Sequence, residues 1–335
     1  MIVFYDVNEK DREQLQTSAA QLIAGEQIEY IADELREDTV RPDASVISVF
    51  VSSQVDASTL EKMPNLKHIA CRSTGFNNID LDAARSKQIS VSNVAGYGED
   101  TVAEYTFGLI LSLTRRLPEA IAAAHSGVIS SDSTGIDLAG KTIGIIGTGR
   151  IGKRVAAIAR GFAMNVLAYD VYQDSAAQEQ LGFQYTDLDQ VLSMSDIVTL
   201  HIPYTEQNNH MINAEKLAKM KHSAYLINTA RGELIDTTAL INVLQDGALA
   251  GAALDVLEGE QLIDRSEELV LLRSAQLDPE SLKHSLEINV LRQMLNVIVT
   301  KHNAYNSIEA INRINTTTVN NISAFLAGRT ENIVS

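Results

Sequence analysis

The stretch KTIGIIGTGRIGKRVAAIARGF, residues 141–162, constrains this chain more than any other. It begins as an apolar strand, meets three glycines (Gly147, Gly149 and Gly152) in G-x-G-x-x-G spacing, and continues as a helix. That spacing alone is a weak signal, but between a strand and a helix it has the context that gives it meaning. The first glycine permits a tight turn, the second lets backbone approach a pyrophosphate, and the third lets helix and strand pack closely. The helix N-terminus adds N–H groups and positive dipole. The plainer alternative is a glycine-rich turn with no ligand.

Asp170 ends the next strand, 23 residues after Gly147. A carboxylate there can accept hydrogen bonds from ribose hydroxyls. Its neighbours Val171, Tyr172 and Gln173 offer no cation for a 2′-phosphate, which favours NAD over NADP. The competing reading is that Asp170 only caps the following helix.

The same alternation of strand and helix extends over most of the 335 residues. Strand-like runs are MIVFYD (1–6), SVISVF (45–50) and LKHIACR (66–72), with helix-like stretches at Asp11–Ala24 and Asp56–Lys62 between them. A second series follows: residues 141–147, 165–170, 196–202, 224–230 and 250–256. Apolar strands separated by helices indicate parallel sheets of βαβ units. The expected fold class is therefore α/β with two doubly wound parallel-sheet domains. The border is expected near Gly98, where Thr101 and Glu104 fit a capping box at the head of a long helix. The expected division is residues 1–98 plus 303–335 for one domain and 99–302 for the other.

Composition removes several function classes. The formal charge is −16, from 27 basic and 43 acidic residues, which argues against a nucleic-acid surface built from clustered Lys and Arg. Cys71 is the single cysteine, so no intramolecular disulfide or cysteine-based zinc site is possible, and no metal is expected. The N-terminal segment does not read as a signal peptide, and the best apolar candidate, Val102–Thr114, is short and contains Glu104. The expectation is a cytoplasmic protein with no membrane partner.

In open parallel sheets, ligands bind beyond the carboxyl ends of the strands. Arg231 after LINTA, Asp255 in AALDV with Glu260 close behind, and His302 after NVIVT all fall at such ends. A 2-oxo acid needs a cation for its carboxylate and carbonyl, and a proton for the carbonyl oxygen. Arginine offers a planar fork for oxygens, and histidine beside a carboxylate offers a proton near neutral pH.

With these residues in place, the chain resembles the NAD-dependent D-2-hydroxyacid dehydrogenases, and among them most the D-lactate dehydrogenases. The matching stretches run in order: RSTGFNNIDLDA, NVAGYGEDTVAEYTF, GKTIGIIGTGRIG, SDIVTLHIPYT, INTARGELIDTTAL, GAALDVLEGE and NVIVTKHNAYNS. The resemblance implies a Rossmann-type NAD domain inserted in a flavodoxin-like substrate domain. It implies Arg231 as the substrate-binding arginine, His302 as acid/base and Glu260 as its orienting carboxylate, with Glu258 of the same EGE as a competitor. Asp255 would meet the nicotinamide end of the cofactor. Arg150, Ile151, Ile202, Pro203, Asn208, Thr229 and Ala230 match further cofactor contacts. The backbone at Ser73, Thr74 and Gly75 resembles a carboxylate-binding loop, and Tyr97 and Tyr305 would line the substrate side. His201 reads as structural or as a wall of the cofactor cleft, and His68, His125, His210, His222 and His284 have no supporting pattern.

The implied reaction is reduction of pyruvate by NADH to D-lactate in a homodimeric enzyme. Alternatives are another 2-hydroxy acid of the glyoxylate or hydroxypyruvate type, or an NADH-sensing binding module like certain co-repressors. Two positions depart from the family pattern: Lys301 stands where proline usually precedes the histidine, and Leu295 where proline precedes NVIVT. Segment 261–290 is also longer than in many relatives. An ammonium at Lys301 pointing toward the ring would disfavour its charged form.

Overall fold

The computed structural model describes residues 1–127, 134–260 and 278–335. These form two compact units, Met1–Tyr97 with Asn306–Ser335 and Gly98–Tyr305.

The first unit holds a five-stranded sheet of β1 (Ile2–Phe4), β2 (Ile28–Tyr30), β3 (Val46–Val49), β4 (His68–Cys71) and β5 (Ser90–Ser92). Every pairing is parallel and the order is β2-β1-β3-β4-β5, the flavodoxin-like winding. Strands β1, β3 and β4 are buried along their whole length, which is why they read as unbroken apolar runs. Helices Glu9–Leu22 and Ile308–Leu326 lie on one face, where Leu15, Ala19, Val319 and Ile322 join Ile2 and Phe4 in the core. The first helix starts at Glu9, ahead of the expected Asp11, because Asn8 caps it by accepting from Asp11 N at 3.0 Å.

The second unit holds β6 (Thr142–Ile146), β7 (Asn165–Tyr169), β8 (Gln184–Tyr185), β9 (Ile197–Leu200), β10 (Tyr225–Asn228), β11 (Gly251–Leu254) and β12 (Val297–Val299). All are parallel, in the order β12-β11-β10-β9-β6-β7-β8. The winding reverses between β6 and β9, and this switch point opens a crevice at the carboxyl edge. Ile143, Ile145 and Ile146 of β6 are fully buried, each worth about 2 kcal/mol relative to exposure.

The expected capping box at Thr101 and Glu104 is not what starts the long helix. The helix is Glu99–Thr114, its N-cap is Gly98, and no side chain caps it. Gly98 leaves the helical region at φ −115°, so the helix begins two residues before Thr101. Glu99 and Asp100 supply negative charge to its first turn, which the helix dipole favours. Segment 261–290 lies partly outside the described residues; its end forms helix Pro279–Gln293, capped by Asp278. Among the described residues no helix is long and apolar enough to cross a membrane.

Candidate active site

The crevice floor is the glycine turn after β6. Gly147 has φ +98°, and a Cβ there would meet the His201 carbonyl oxygen at 2.6 Å. A Cβ on Gly152 would lie 1.9 Å from the Gly147 carbonyl oxygen, so helix Arg150–Gly161 can leave the turn only with glycine at that point. Gly149, the N-cap, faces open space, and no side chain caps the helix. A pyrophosphate fits this cradle: backbone can approach it, and the first N–H groups of the helix lack a side-chain acceptor.

Asp170 follows β7. Its Oδ2 accepts from Thr148 N at 2.6 Å and Thr148 Oγ1 at 3.0 Å, and its Oδ1 accepts from Tyr172 N at 2.9 Å. The next helix is capped by Asp174, not Asp170. Asp170 is thus braced against the glycine turn, with lone pairs left for further donors. Thr148 Oγ1 is also 2.7 Å from the Tyr185 hydroxyl. Nothing local in the sequence marks Tyr185, 37 residues away. Lys153, one turn into the helix, is held by Asp174 at 2.6 Å.

The remaining cofactor-side candidates ring the same carboxyl edge. Ile202 Cγ2 packs over Gly147. Asn208 folds its own turn, donating to Pro203 O at 2.8 Å and accepting from Thr205 N at 2.8 Å. Thr229 Oγ1 is 3.1 Å from Thr106 Oγ1, and Ala230 N donates to Asn228 Oδ1. Arg150 is exposed and pairs with Glu99 at 3.4 Å, while Ile151 is partly buried in the core. His201 bonds Thr199 Oγ1 at 3.0 Å, and burial pushes its pKa down to about 3, so its ring is neutral.

Arg231 stands just past β10. Its Nη1 donates to the Ala230 carbonyl at 2.6 Å, and among the described residues no carboxylate pairs with it. Gly232 behind it cannot be replaced without movement, since a Cβ would lie 2.1 Å from Leu257 C and 2.4 Å from Glu258 N. The loops after β10 and β11 therefore touch backbone to backbone.

His302 Nδ1 lies 2.8 Å from Glu260 Oε1, with 36% and 37% of the two side chains exposed. An ionised carboxylate only accepts, so Nδ1 donates and Nε2 is left for another partner. Burial pushes the His302 pKa down, but the Glu260 hydrogen bond and charge outweigh that, and the net shift is upward. Arg231 acts against the imidazolium and Asp255 favours it. The turn that carries His302 is wrapped around Asp255, which is fully buried. Asp255 Oδ1 accepts from Thr300 Oγ1 at 2.5 Å and Asn303 N at 2.8 Å, and Oδ2 accepts from Ala304 N at 2.8 Å. His302 N donates to the Asp255 carbonyl at 2.7 Å, and His302 takes φ +41°, a strained value for a non-glycine residue. Tyr305 lies edge-on to the ring at 6.4 Å.

Glu258, the competitor for His302, is engaged elsewhere. Its Oε1 is 2.6 Å from His210 Nε2 and its Oε2 accepts from Thr237 Oγ1 at 2.7 Å. His210, which had no pattern in the sequence, thus belongs to a second histidine–glutamate pair. Lys301 and Leu295 are both exposed.

In the first unit, Ser73, Thr74 and Gly75 form a braced loop after β4. Ser73 Oγ donates to Gly75 O, Thr74 Oγ1 donates to Val94 O at 2.9 Å, and Asn93 Nδ2 donates to Thr74 O at 2.8 Å. The Tyr97 carbonyl accepts from Arg313 Nε at 2.7 Å. Cys71 is buried beneath the loop, and burial raises its thiol pKa.

A dinucleotide cradle and a histidine–carboxylate pair beside a cation, on one carboxyl edge of a doubly wound sheet, define a nicotinamide-dependent oxidoreductase. Residues 107–304 match the family model described as D-isomer specific 2-hydroxyacid dehydrogenase, NAD binding domain. A 2-hydroxyacid dehydrogenase homolog of Haemophilus influenzae is 36% identical over 319 residues, covering 92% of this chain and 91% of the relative. A glyoxylate reductase of Thermofilum pendens is 42% identical over 235 residues, covering 68% and 69%. The crystal structure of a D-lactate dehydrogenase from Aquifex aeolicus, complexed with NAD and lactic acid, superposes with TM-score 0.84 at 36% identity, covering 98% of this chain and 96% of that one. The chain belongs to the D-isomer-specific 2-hydroxyacid dehydrogenases and is an NAD-dependent oxidoreductase.

Proposed function

We propose that the chain reduces a small 2-oxo acid to the D-2-hydroxy acid, with pyruvate giving D-lactate as the leading pair. The nicotinamide, when bound, supplies the hydride. The observation that supports the reading best is the His302–Glu260 contact at 2.8 Å, with Arg231 close enough to act on the same ring. His302 Nε2 gives its proton to the carbonyl oxygen, and Glu260 holds the ring and stabilises its charge. Arg231 binds the substrate carboxylate and polarises the ketone. Asp255 acts on the nicotinamide end indirectly, through the turn it organises. Gly147, Gly149, Arg150, Ile151 and Gly152 hold the pyrophosphate, and Asp170 takes the ribose hydroxyls. Ile202, Pro203, Asn208, Thr229 and Ala230 line the rest of the cofactor path.

In this reading residues 1–98 with 303–335 serve the substrate and 99–302 the cofactor. The backbone of Ser73, Thr74 and Gly75 receives carboxylate oxygens, and Tyr97 and Tyr305 face the substrate. The reading includes a homodimer in the cytoplasm, and light scattering on the purified protein measures the assembly. The glyoxylate reductase of Thermofilum pendens favours glyoxylate as a second substrate. Steady-state rates with NADH and a panel of pyruvate, glyoxylate, hydroxypyruvate and longer 2-oxo acids test the reading. Highest kcat/KM on pyruvate supports it; a higher value on glyoxylate replaces the substrate, and no turnover of any 2-oxo acid overturns the reaction.

A further inference from the structure

Leu257–Glu260 reads LEGE, and its two glutamates face different histidines: Glu260 meets His302, Glu258 meets His210. Gly259 between them has φ +65°, a conformation that lets the chain turn the second carboxylate away from the first. A Cβ on Gly259 would lie 2.8 Å from the Cβ of His284, so the turn is also pressed against helix Pro279–Gln293.

The Glu258 side chain is only 12% exposed, and three groups from two segments hold it. His210 Nε2 lies 2.6 Å from Oε1. Thr237 Oγ1 and N donate to Oε2 at 2.7 and 3.3 Å, at the start of helix Thr237–Gln245. His210 is itself placed by the Arg231 loop, because its N–H donates to Glu233 O at 2.8 Å. Gly232, next to Arg231, packs on the backbone of Leu257 and Glu258. One carboxylate thus ties together the segments that present Arg231 and Glu260.

We infer that Glu258, clamped by His210 and Thr237, is a positioning residue for the acid–base pair: it sets where Glu260 stands relative to His302 and Arg231. The inference rests on the proposed roles of those three residues. Released at 258, Glu260 would hang from a glycine hinge. Its hydrogen bond to His302 would be populated only part of the time, and the imidazolium would lose support. A carboxylate that merely capped helix Thr237–Gln245 would affect stability alone.

The test uses Glu258→Ala and His210→Ala, which removes the donor at a side chain that is 38% exposed and should tolerate truncation. The readouts are the pH profile of kcat/KM with NADH and the fastest 2-oxo acid of the panel, the NADH Kd, and thermal melting. In both variants we expect the high-pH limb to move to lower pH, with NADH Kd unchanged. The kcat should fall on the order of tenfold, since misplacement by about an ångström can cost on the order of a hundredfold. A folded His210→Ala protein with the wild-type profile overturns the clamp, whether or not Glu258→Ala folds. Glu260→Gln is the control that separates the two ideas: if it leaves the limb in place, the acid–base reading fails and the clamp falls with it. If Glu260→Gln moves the limb and His210→Ala does not, only the clamp is wrong.

Discussion

Glu260 Oε1 lies 2.8 Å from His302 Nδ1, on a turn whose backbone is bound to Asp255. Burial alone would lower the ring's pKa, and Glu260 reverses the sign. In the proposed ketone reduction His302 gives up its imidazolium proton, so kcat/KM for reduction should be full below the raised pKa and decline as pH rises through it. Glu260→Gln removes the charge that raises it, and the decline should begin at lower pH. His302→Gln should cost on the order of a hundredfold or more in kcat, the usual worth of a positioned acid. A His302→Gln enzyme of near-normal rate sinks the assignment.

Arg231→Lys keeps the charge and loses the planar fork. With one charge-assisted hydrogen bond lost, at about 2 kcal/mol, kcat/KM should fall roughly thirtyfold. KM should rise, kcat fall, and the NADH Kd stay near wild type. Steady-state kinetics with a fluorescence titration of NADH decide it; unchanged kinetics would return Arg231 to a surface role.

Asp170 both faces the proposed ribose position and braces Thr148. Asp170→Ala should therefore weaken NADH and NADPH alike through the loosened turn, and NADH further through the lost ribose bonds. The ratio of the two Kd values is the readout. If both rise by the same factor, Asp170 only supports the turn.

Lys301 is exposed, and the charges that govern His302 are Glu260, Arg231 and Asp255. Lys301→Gln should leave the pH profile of reduction at wild type. Lys301→Pro should alter kcat without moving the profile, because it stiffens the chain just before the strained His302 backbone. A shifted limb in Lys301→Gln would show that the ammonium tunes the acid after all.

His68 sits in the first unit, fully buried, between Ser90 Oγ at 2.9 Å and Ser92 Oγ at 3.0 Å and stacked on Phe325 at 4.5 Å. Burial lowers its pKa from 6.5 to about 4. Between those values the unfolded chain binds a proton that the folded one refuses, so stability is full above the upper value and drains as pH falls. The loss should reach about 3 kcal/mol near the lower value. Melting curves at pH 7 and pH 5 for wild type and His68→Gln test this. An equal acid loss in the variant would show that other groups are responsible.

Some of this was legible because its cause is local. A strand, a tight turn and a helix each follow from neighbouring residues, so Gly147 and Gly152 announced the tight turn and the close helix packing after β6, and the alternation announced two parallel sheets. An arginine following LINTA at a strand end was conspicuous by itself. Other features depend on partners far apart in the chain. Which glutamate of LEGE meets His302 is decided across 42 residues, and the His210 partnership across 48. The helix head at Gly98 misled for a related reason: Thr101 and Glu104 fit a cap locally, but the turn at Gly98 already starts the helix. Local chemistry specifies backbone conformation, which a few dihedral preferences set. Hydrogen-bond partnership needs the sheet to assemble first, because only then do the loops after β10, β11 and β12 lie side by side.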